Sequence, residues 1–271
     1  MLYKLIKTED ASYSIYSEEY REAMHTISGA YEESLLKHIF PSCILSFKNE
    51  VIRVLDIGFG IGYNVLALIM EFLKSETQQQ LQIISFEKNL SYLPFMKKIH
   101  FADDRDCIYK NVIIAFETGE YISQRFKYKI NLIYGDARQS IKGITNNFFD
   151  AVFHDPFSPP KNPELWTVEF FREVYRLIAD YGVLTTYSSA PQIRMALLNS
   201  GLRVGMCPYV GRKKEGTLAT KYGRISYFGD DYRMILKTNR KSLPYRDYFL
   251  KDSREDILKR RVKGMMRNQS K

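Results

Sequence analysis

The sequence predicts an α/β fold, a mainly parallel β-sheet covered by helices on both faces. Three observations carry this expectation. From residue 51 onward, short β-branched runs alternate with amphipathic stretches. A Gly-rich turn follows the first such run and opens a helical stretch. The length of 271 residues, 45% hydrophobic and 26% charged, suits one large α/β domain and excludes wholesale disorder or a disulfide scaffold.

Each element has a local reason. Residues 17–40 (SEEYREAMHTISGAYEESLLKHIF) read as helix or helix-turn-helix, with Pro41 closing the segment. Residues 51–57 (VIRVLDI) read as a buried strand, the Gly-rich turn follows, and 64–73 reads as helix. Residues 81–86 (LQIISF) are a second strand and 90–100 a helix. Residues 130–134 (INLIY) and 150–154 (DAVFH) are the third and fourth strands, and a Pro-rich loop follows. Residues 164–179 form a long amphipathic helix, 182–187 (GVLTTY) a fifth strand and 192–200 a helix stopped by Gly201. Residues 203–209, 217–220 and 232–237 are later strand candidates. Three domains are expected: an N-terminal helical cap over 1–48, the α/β domain over 49–239 and a basic tail over 240–271.

The net charge of +9 is segregated. Residues 240–271 carry +7, residues 203–224 carry +5, and the remainder is −3. A basic end on a slightly acidic body points to a polyanionic partner, nucleic acid above all. In the tail, Ile257, Leu258 and Val262 equally suit a helix docked on the body, with its charges merely solvated. Three cysteines in no ligand spacing, no signal-peptide core and no apolar run of membrane-spanning length point to a cytoplasmic protein with no membrane and no metal site.

In open α/β sheets ligands bind beyond the carboxyl ends of the strands, and every chemical motif falls there. The turn reads Asp56-Ile57-Gly58-Phe59-Gly60-Ile61-Gly62-Tyr63-Asn64. A dinucleotide fingerprint would need glycine at Tyr63, and a triphosphate loop would need a lysine. The observed GxGxG suits S-adenosylmethionine better. Glu87 ends the second strand, where a carboxylate can accept both ribose hydroxyls, and Asp136 follows the third, where it can accept from an adenine amino group or cap a helix. The fourth strand leads into His154-Asp155-Pro156-Phe157. Methyl transfer from a sulfonium to nitrogen is an in-line displacement, so hydrogen-bond acceptors must aim the nitrogen lone pair. Asp155 can do this and can take a proton directly or through water, and Phe157 can stack on a base or pack against the sulfonium. The plainer alternative is that Asp155 caps a turn and Phe157 is core. His154 reads as strand-end packing or a proton acceptor, and His25, His38 and His100 as surface or helix residues.

Several stretches together resemble the methyltransferase domain of the MnmC-type tRNA-modification enzymes: GFGIGYN (58–64), ISFEK (84–88), YGDAR (134–138), HDPFSPPKNPELWT, GVLTTYSSAPQIRMALLNSGLRV and GRKKEGTLAT, across residues 15–238. The resemblance implies a Rossmann-like class I methyltransferase with a seven-stranded sheet, S-adenosyl-L-methionine as cofactor, and N-methylation of 5-aminomethyl(-2-thio)uridine at the tRNA wobble position. By position it implies that Gly58, Phe59, Gly60, Gly62, Asn64, Glu87, Asp136 and Asp155 hold the cofactor, that Asp155 faces the amine, and that Lys161-Asn162-Pro163 shape the site. Pro156 stands where the family has glycine. The chain resembles the stand-alone form without a flavin oxidase domain. A tRNA anticodon arm would meet Arg212, Lys213 and Lys214, and its extruded base needs an aromatic platform, for which Phe157, Trp166 and Tyr187 are candidates. An amino-methyltransferase acting on a small amine and a non-catalytic RNA-binding relative are the alternatives.

Overall fold

The computed structural model describes residues 3–125, 127–207, 215–223 and 225–267. The chain divides into two compact units, Met1–Ala137 with Phe153–Phe157, and Arg138–Val152 with Ser158–Lys271.

The first unit begins with an antiparallel sheet of β1 (Tyr3–Lys7), β2 (Tyr13–Ser17) and β3 (Glu22–Ala23). The helix expected from residue 17 is therefore absent before Ala30. Alternating Tyr13, Ile15 and Ser17 pair with Lys7, Leu5 and Tyr3, and the polar residues 18–21 only turn the chain. Helicity starts at α1 (Ala30–Ser34), runs through a π-helical turn at Leu35–Ile39, and ends in α2 (Phe40–Ser42). β4 (Val51–Ile57), α3 (Tyr63–Lys74) and β5 (Gln80–Glu87) fall where the sequence places them. The helix expected over 90–100 shrinks to a 3-10 turn at Leu90–Tyr92 and α4 (Leu93–Met96), whose Pro94 fits only a first helical turn. α5 (Arg105–Thr118) and β6 (Glu120–Ser123) were not anticipated; Gly119, left-handed at φ +87°, ends the helix and starts the strand. β7 (Tyr128–Tyr134) and the short α6 (Ala137–Ser140) follow.

β8 (Phe149–His154) leads into a 3-10 turn at Pro163–Trp166 and α7 (Val168–Leu177), which starts at Thr167, whose hydroxyl accepts from Phe170 N at 3.2 Å. β9 (Ile178–Thr186), α8 (Pro191–Asn199), β10 (Arg203–Met206) and β11 (Thr217–Thr220) complete the second unit's strands. The expected strand over 232–237 is instead α9 (Asp230–Thr238): Asp230 and Asp231 complement the helix N-terminus, and only Leu236 is buried. The tail forms α10 (Arg254–Arg267), docked through fully buried Ile257 and through Arg261, which donates to Leu243 O and Lys241 O.

Among the described residues the main sheet has eight strands rather than seven, ordered β10-β11-β9-β8-β4-β5-β7-β6. β4, β5 and β7 pair in parallel, with Ile57 opposite Phe86 and Glu87 opposite Tyr134. This register brings the turn after β4, the acid ending β5 and the segment after β7 to one edge. Among the described residues, no helix is long and apolar enough to cross a membrane.

Candidate active site at the carboxyl edge of the sheet

Three glycines with positive φ shape the turn after β4: Gly58 (+96°), Gly60 (+56°) and Gly62 (+84°). They do different jobs. A Cβ on Gly58 would lie 2.7 Å from Asp155 O, so this glycine lets the aspartate loop pass close by. A Cβ on Gly62 would strike Val112 Cγ1 at 2.5 Å and the Phe59 ring at 2.9 Å, so this glycine serves packing. Only Gly60 opens onto space, with Met24 Sδ first at 3.4 Å. The Phe59 ring is core, 5.5 Å from Phe116, and its N–H donates to Phe86 O at 3.1 Å.

Glu87 ties the end of β5 to this turn. Its Oε2 accepts from Gly60 N at 2.8 Å, and its Oε1 accepts from Lys88 N and Asn89 N at 2.8 and 2.7 Å. Burial pushes its carboxyl up to about 7 despite these donors. Asp136 is half-buried, between Gly135 and the first residue of α6. The space a Gly135 Cβ would fill is empty.

Asp155 follows β8, and its N–H donates to Ile57 O at 2.9 Å. Its side chain is 18% exposed and held from two sides. Asn64 Nδ2 donates to Asp155 Oδ2 at 3.0 Å and to Asp56 Oδ1 at 3.2 Å. His38 Nε2 lies 3.6 Å from Asp155 Oδ1. Ser85 Oγ donates to Asp56 Oδ2 at 3.0 Å. The two carboxyls are thereby pushed apart. Burial raises Asp56 to about 6. Burial also raises Asp155, but His38, His25 and the Asn64 amide together outweigh it and hold the group below the usual carboxylate range. Burial moves His25 the other way, below its ordinary value. His25 Nδ1 lies 3.3 Å from Ser14 Oγ, and its ring meets Tyr63 edge-on at 5.4 Å.

The residues present fit an adenosyl-bearing, amine-bearing cofactor. Gly60 and Gly135 leave room for close approach. Glu87 keeps an unused lone pair on Oε2, which accepts only from Gly60 N. With Asn64 Nδ2 turned to two carboxylates, Asn64 Oδ1 is buried with no partner among the described residues, an acceptor waiting for an N–H donor.

The other expected residues separate. Phe157 is half-buried and stacks on Tyr20, centroids 4.2 Å apart and planes at 16°, rather than standing free for a base. Trp166 is fully buried, edge-on to Phe171 and Tyr187, so its reading as a base platform is corrected: it is core. His154 is also fully buried, which makes it strand-end packing. Lys161 and Asn162 shape the loop, both N–H groups donating to Ser158 O at 2.8 and 2.9 Å, with Asn162 Nδ2 on Glu164 Oε2 at 3.1 Å. Arg212, Lys213 and Lys214 lie outside the described residues. Sequence reasoning missed His38, His25, Asp56 and Tyr20. The structure places His38 in the π-helical turn, a departure from α-geometry that recurs at functional sites and that the sequence does not show. Among the described residues no three His, Cys, Asp or Glu side chains gather as a metal site.

A β-strand, a Gly-rich turn, an acid at the next strand end and a half-buried aspartate beside the turn suit the class of S-adenosyl-L-methionine-dependent methyltransferases, and residues 100–222 match a family model of that description. The crystal structure of MNMC2 from Aquifex aeolicus is 32% identical, superposes with a TM-score of 0.88, and is matched over 98% of this chain and 85% of that one. An uncharacterized protein of Methanocaldococcus jannaschii is 32% identical over 266 residues, 95% of this chain and 71% of its own. The tRNA 5-methylaminomethyl-2-thiouridine biosynthesis bifunctional protein MnmC of Campylobacter hominis is 28% identical over 74% of this chain, which spans 30% of that relative's length. The chain belongs to the MnmC-type methyltransferase family and is an S-adenosyl-L-methionine-dependent enzyme.

Proposed function

We propose that this chain methylates the primary amine of 5-aminomethyluridine, or its 2-thio form, at the wobble position of tRNA, giving the methylaminomethyl nucleoside. The carboxylate of Asp155 carries this reading. It is half-buried, held ionised by His38 and Asn64, and adjoins the turn at Gly60 through the Asp155–Gly58 contact. The Campylobacter hominis relative, a tRNA 5-methylaminomethyl-2-thiouridine biosynthesis protein, supports the substrate.

The cofactor, when bound, supplies an electrophilic methyl group. Glu87, Asp136, Gly60 and Asn64 Oδ1 are the groups of this chain that can hold it. Asp155 accepts hydrogen bonds from the amine N–H groups and so aims the lone pair along the displacement line. Its low proton affinity suits it to orient the amine rather than to strip a proton from an ammonium, so the substrate reacts as the free amine. Asn64 and His38 fix the carboxylate's rotamer, and Asp56 stays anchored by Ser85.

Incubating the protein with S-adenosylmethionine and tRNA that carries the unmethylated aminomethyl group, then digesting the tRNA for nucleoside mass spectrometry, tests the reading. Conversion of the aminomethyl to the methylaminomethyl nucleoside is expected. Cofactor binding without any methylated nucleoside would sink the substrate assignment.

A further inference from the structure

We propose that Tyr248 and Phe249, with the cations stacked on them, form a platform on which unpaired bases of the RNA substrate stack. This rests on the reading of tRNA as substrate and adds a binding surface to it.

The two rings stand on a loop, residues 243–253, in which Tyr245, Arg246, Asp247 and Leu250 are tied down. Tyr245 is 2% exposed and bridges to Thr167, and Leu250 is 6% exposed with its carbonyl accepting from Gln139 Nε2 at 2.8 Å. Asp247 is fully buried. Its Oδ2 receives Arg138 Nη1 at 2.8 Å, and its Oδ1 accepts Lys251 N and Asp252 N at 3.0 and 3.2 Å. Glu169 grips the same loop from below, taking Arg246 Nε at 2.7 Å and Asp247 N at 2.8 Å. Against this anchoring, Tyr248 is 55% and Phe249 72% exposed. A loop fixed this firmly holds two aromatic rings out in solvent in a preset orientation, which lowers the ordering cost of binding.

Cations surround the rings. The guanidinium of Arg246 lies 4.9 Å and that of Arg260 5.2 Å from the Tyr248 centroid, and Lys251 Nζ lies 5.5 Å from that of Phe249. Arg246 and Arg260 are fixed in place, the first by Glu169 and the second by Arg246 O and Asp252. Residues 240–267 carry a net +6. Exposed rings interleaved with cations are the makeup of a single-stranded nucleic-acid groove: phosphates meet the charge and base faces meet the rings. An acidic peptide would use the charge but leave the rings unexplained. The loop's anchors also point to the substrate: Arg138 and Gln139 follow Asp136 in the chain, and Glu164 and Glu169 follow the Asp155 loop, with Arg254 3.7 Å from Glu164.

The test compares full-length wild type, Tyr248→Ala/Phe249→Ala, Tyr248→Leu/Phe249→Leu and the control Tyr181→Ala, an equally exposed tyrosine at 71% on β9. Affinity for aminomethyl-bearing tRNA is measured against salt concentration, beside thermal midpoint, sedimentation and nucleoside methylation. Both double variants are expected to lose roughly tenfold or more in affinity at every salt concentration, because stacking needs a π-face and not merely an apolar one. The slope against salt should stay as in wild type, because no phosphate contact is removed, and Tyr181→Ala should bind as wild type. Wild-type affinity in both double variants overturns the platform while methylation by the wild type leaves the substrate reading standing. Retention of affinity by the leucine variant alone, or a wild-type dimer that the double variants dissolve, also overturns it. A wild type that neither binds nor methylates tRNA overturns both.

Discussion

Two charged regions of this molecule behave in opposite ways. At the carboxyl edge of β4, β5 and β8, ionisable groups are buried, and the fold drives their proton affinities apart: Glu87 rises to about 7 and Asp56 to about 6, while Asp155 falls. In the C-terminal region the charge is more numerous yet chemically quieter. Arg138 pairs with Asp247, Arg260 with Asp252 and the Arg246 carbonyl, and Arg261 with two further carbonyls. Much of the basic excess there staples one segment to another. A charge count locates a region worth inspecting, whereas burial decides which charges do chemistry.

That contrast can be attacked by substitution, from the largest effect downward. Gly58→Val should be the most damaging, because a side chain there meets the Asp155 carbonyl and a left-handed backbone at once. The strain alone costs about 1–3 kcal/mol. A fall in thermal midpoint and loss of methyl transfer are expected together, and circular dichroism melting with a label-transfer assay reads both. His38→Gln keeps a polar group in the pocket but removes the imidazole facing Asp155. Methyl transfer should slow by about ten- to a hundredfold through misplacement, and rate loss at acid pH should set in at higher pH than in wild type, because only His25 and Asn64 then oppose the rise that burial imposes on the Asp155 carboxyl. A variant with the wild-type pH profile would leave His38 a packing residue.

Glu87 separates stability from binding. Its folded-state proton affinity is raised, so between its ordinary 4.5 and about 7 the folded chain holds a proton that the unfolded chain has released. Stability is therefore lost as pH rises through that window, by about 3 kcal/mol from this group. Cofactor affinity should move the opposite way, because the ionised carboxylate is the stronger acceptor for ribose hydroxyls. Melting curves at pH 5.5 and 8, with and without S-adenosylmethionine, check both signs. The smallest effect belongs to the basic tail: Lys259→Ala breaks an exposed 3.4 Å pair with Glu255 and should change stability by less than about 1 kcal/mol, measurable by urea titration.

What was legible in the sequence was local. Val51–Ile57, the glycines behind it and Glu87 follow one another along the chain, so pattern and motif suffice to place them. The Gly-rich turn did not reveal that Gly58 and Gly62 serve the Asp155 loop and Val112, because those neighbours come from distant segments. His38 and Tyr20 were invisible for the same reason: each meets a residue of the Asp155–Phe157 loop more than a hundred positions away. The segment 232–237 carries a short apolar run that suits a strand, yet acids at its start complement a helix N-terminus and it folds as a helix. Trp166 looked like a platform because aromatic residues in a loop motif carry no mark of burial.

The central claim is that an ionised Asp155, held by Asn64 and His38, aims the substrate amine. Single-turnover methyl transfer by Asp155→Asn at saturating tRNA and S-adenosylmethionine tests it, with cofactor affinity measured on the same preparation by calorimetry. A rate loss of about a hundred- to ten-thousandfold with cofactor affinity within a few-fold of wild type is predicted. Turnover near the wild-type rate, or a loss explained wholly by weaker cofactor binding, would contradict it.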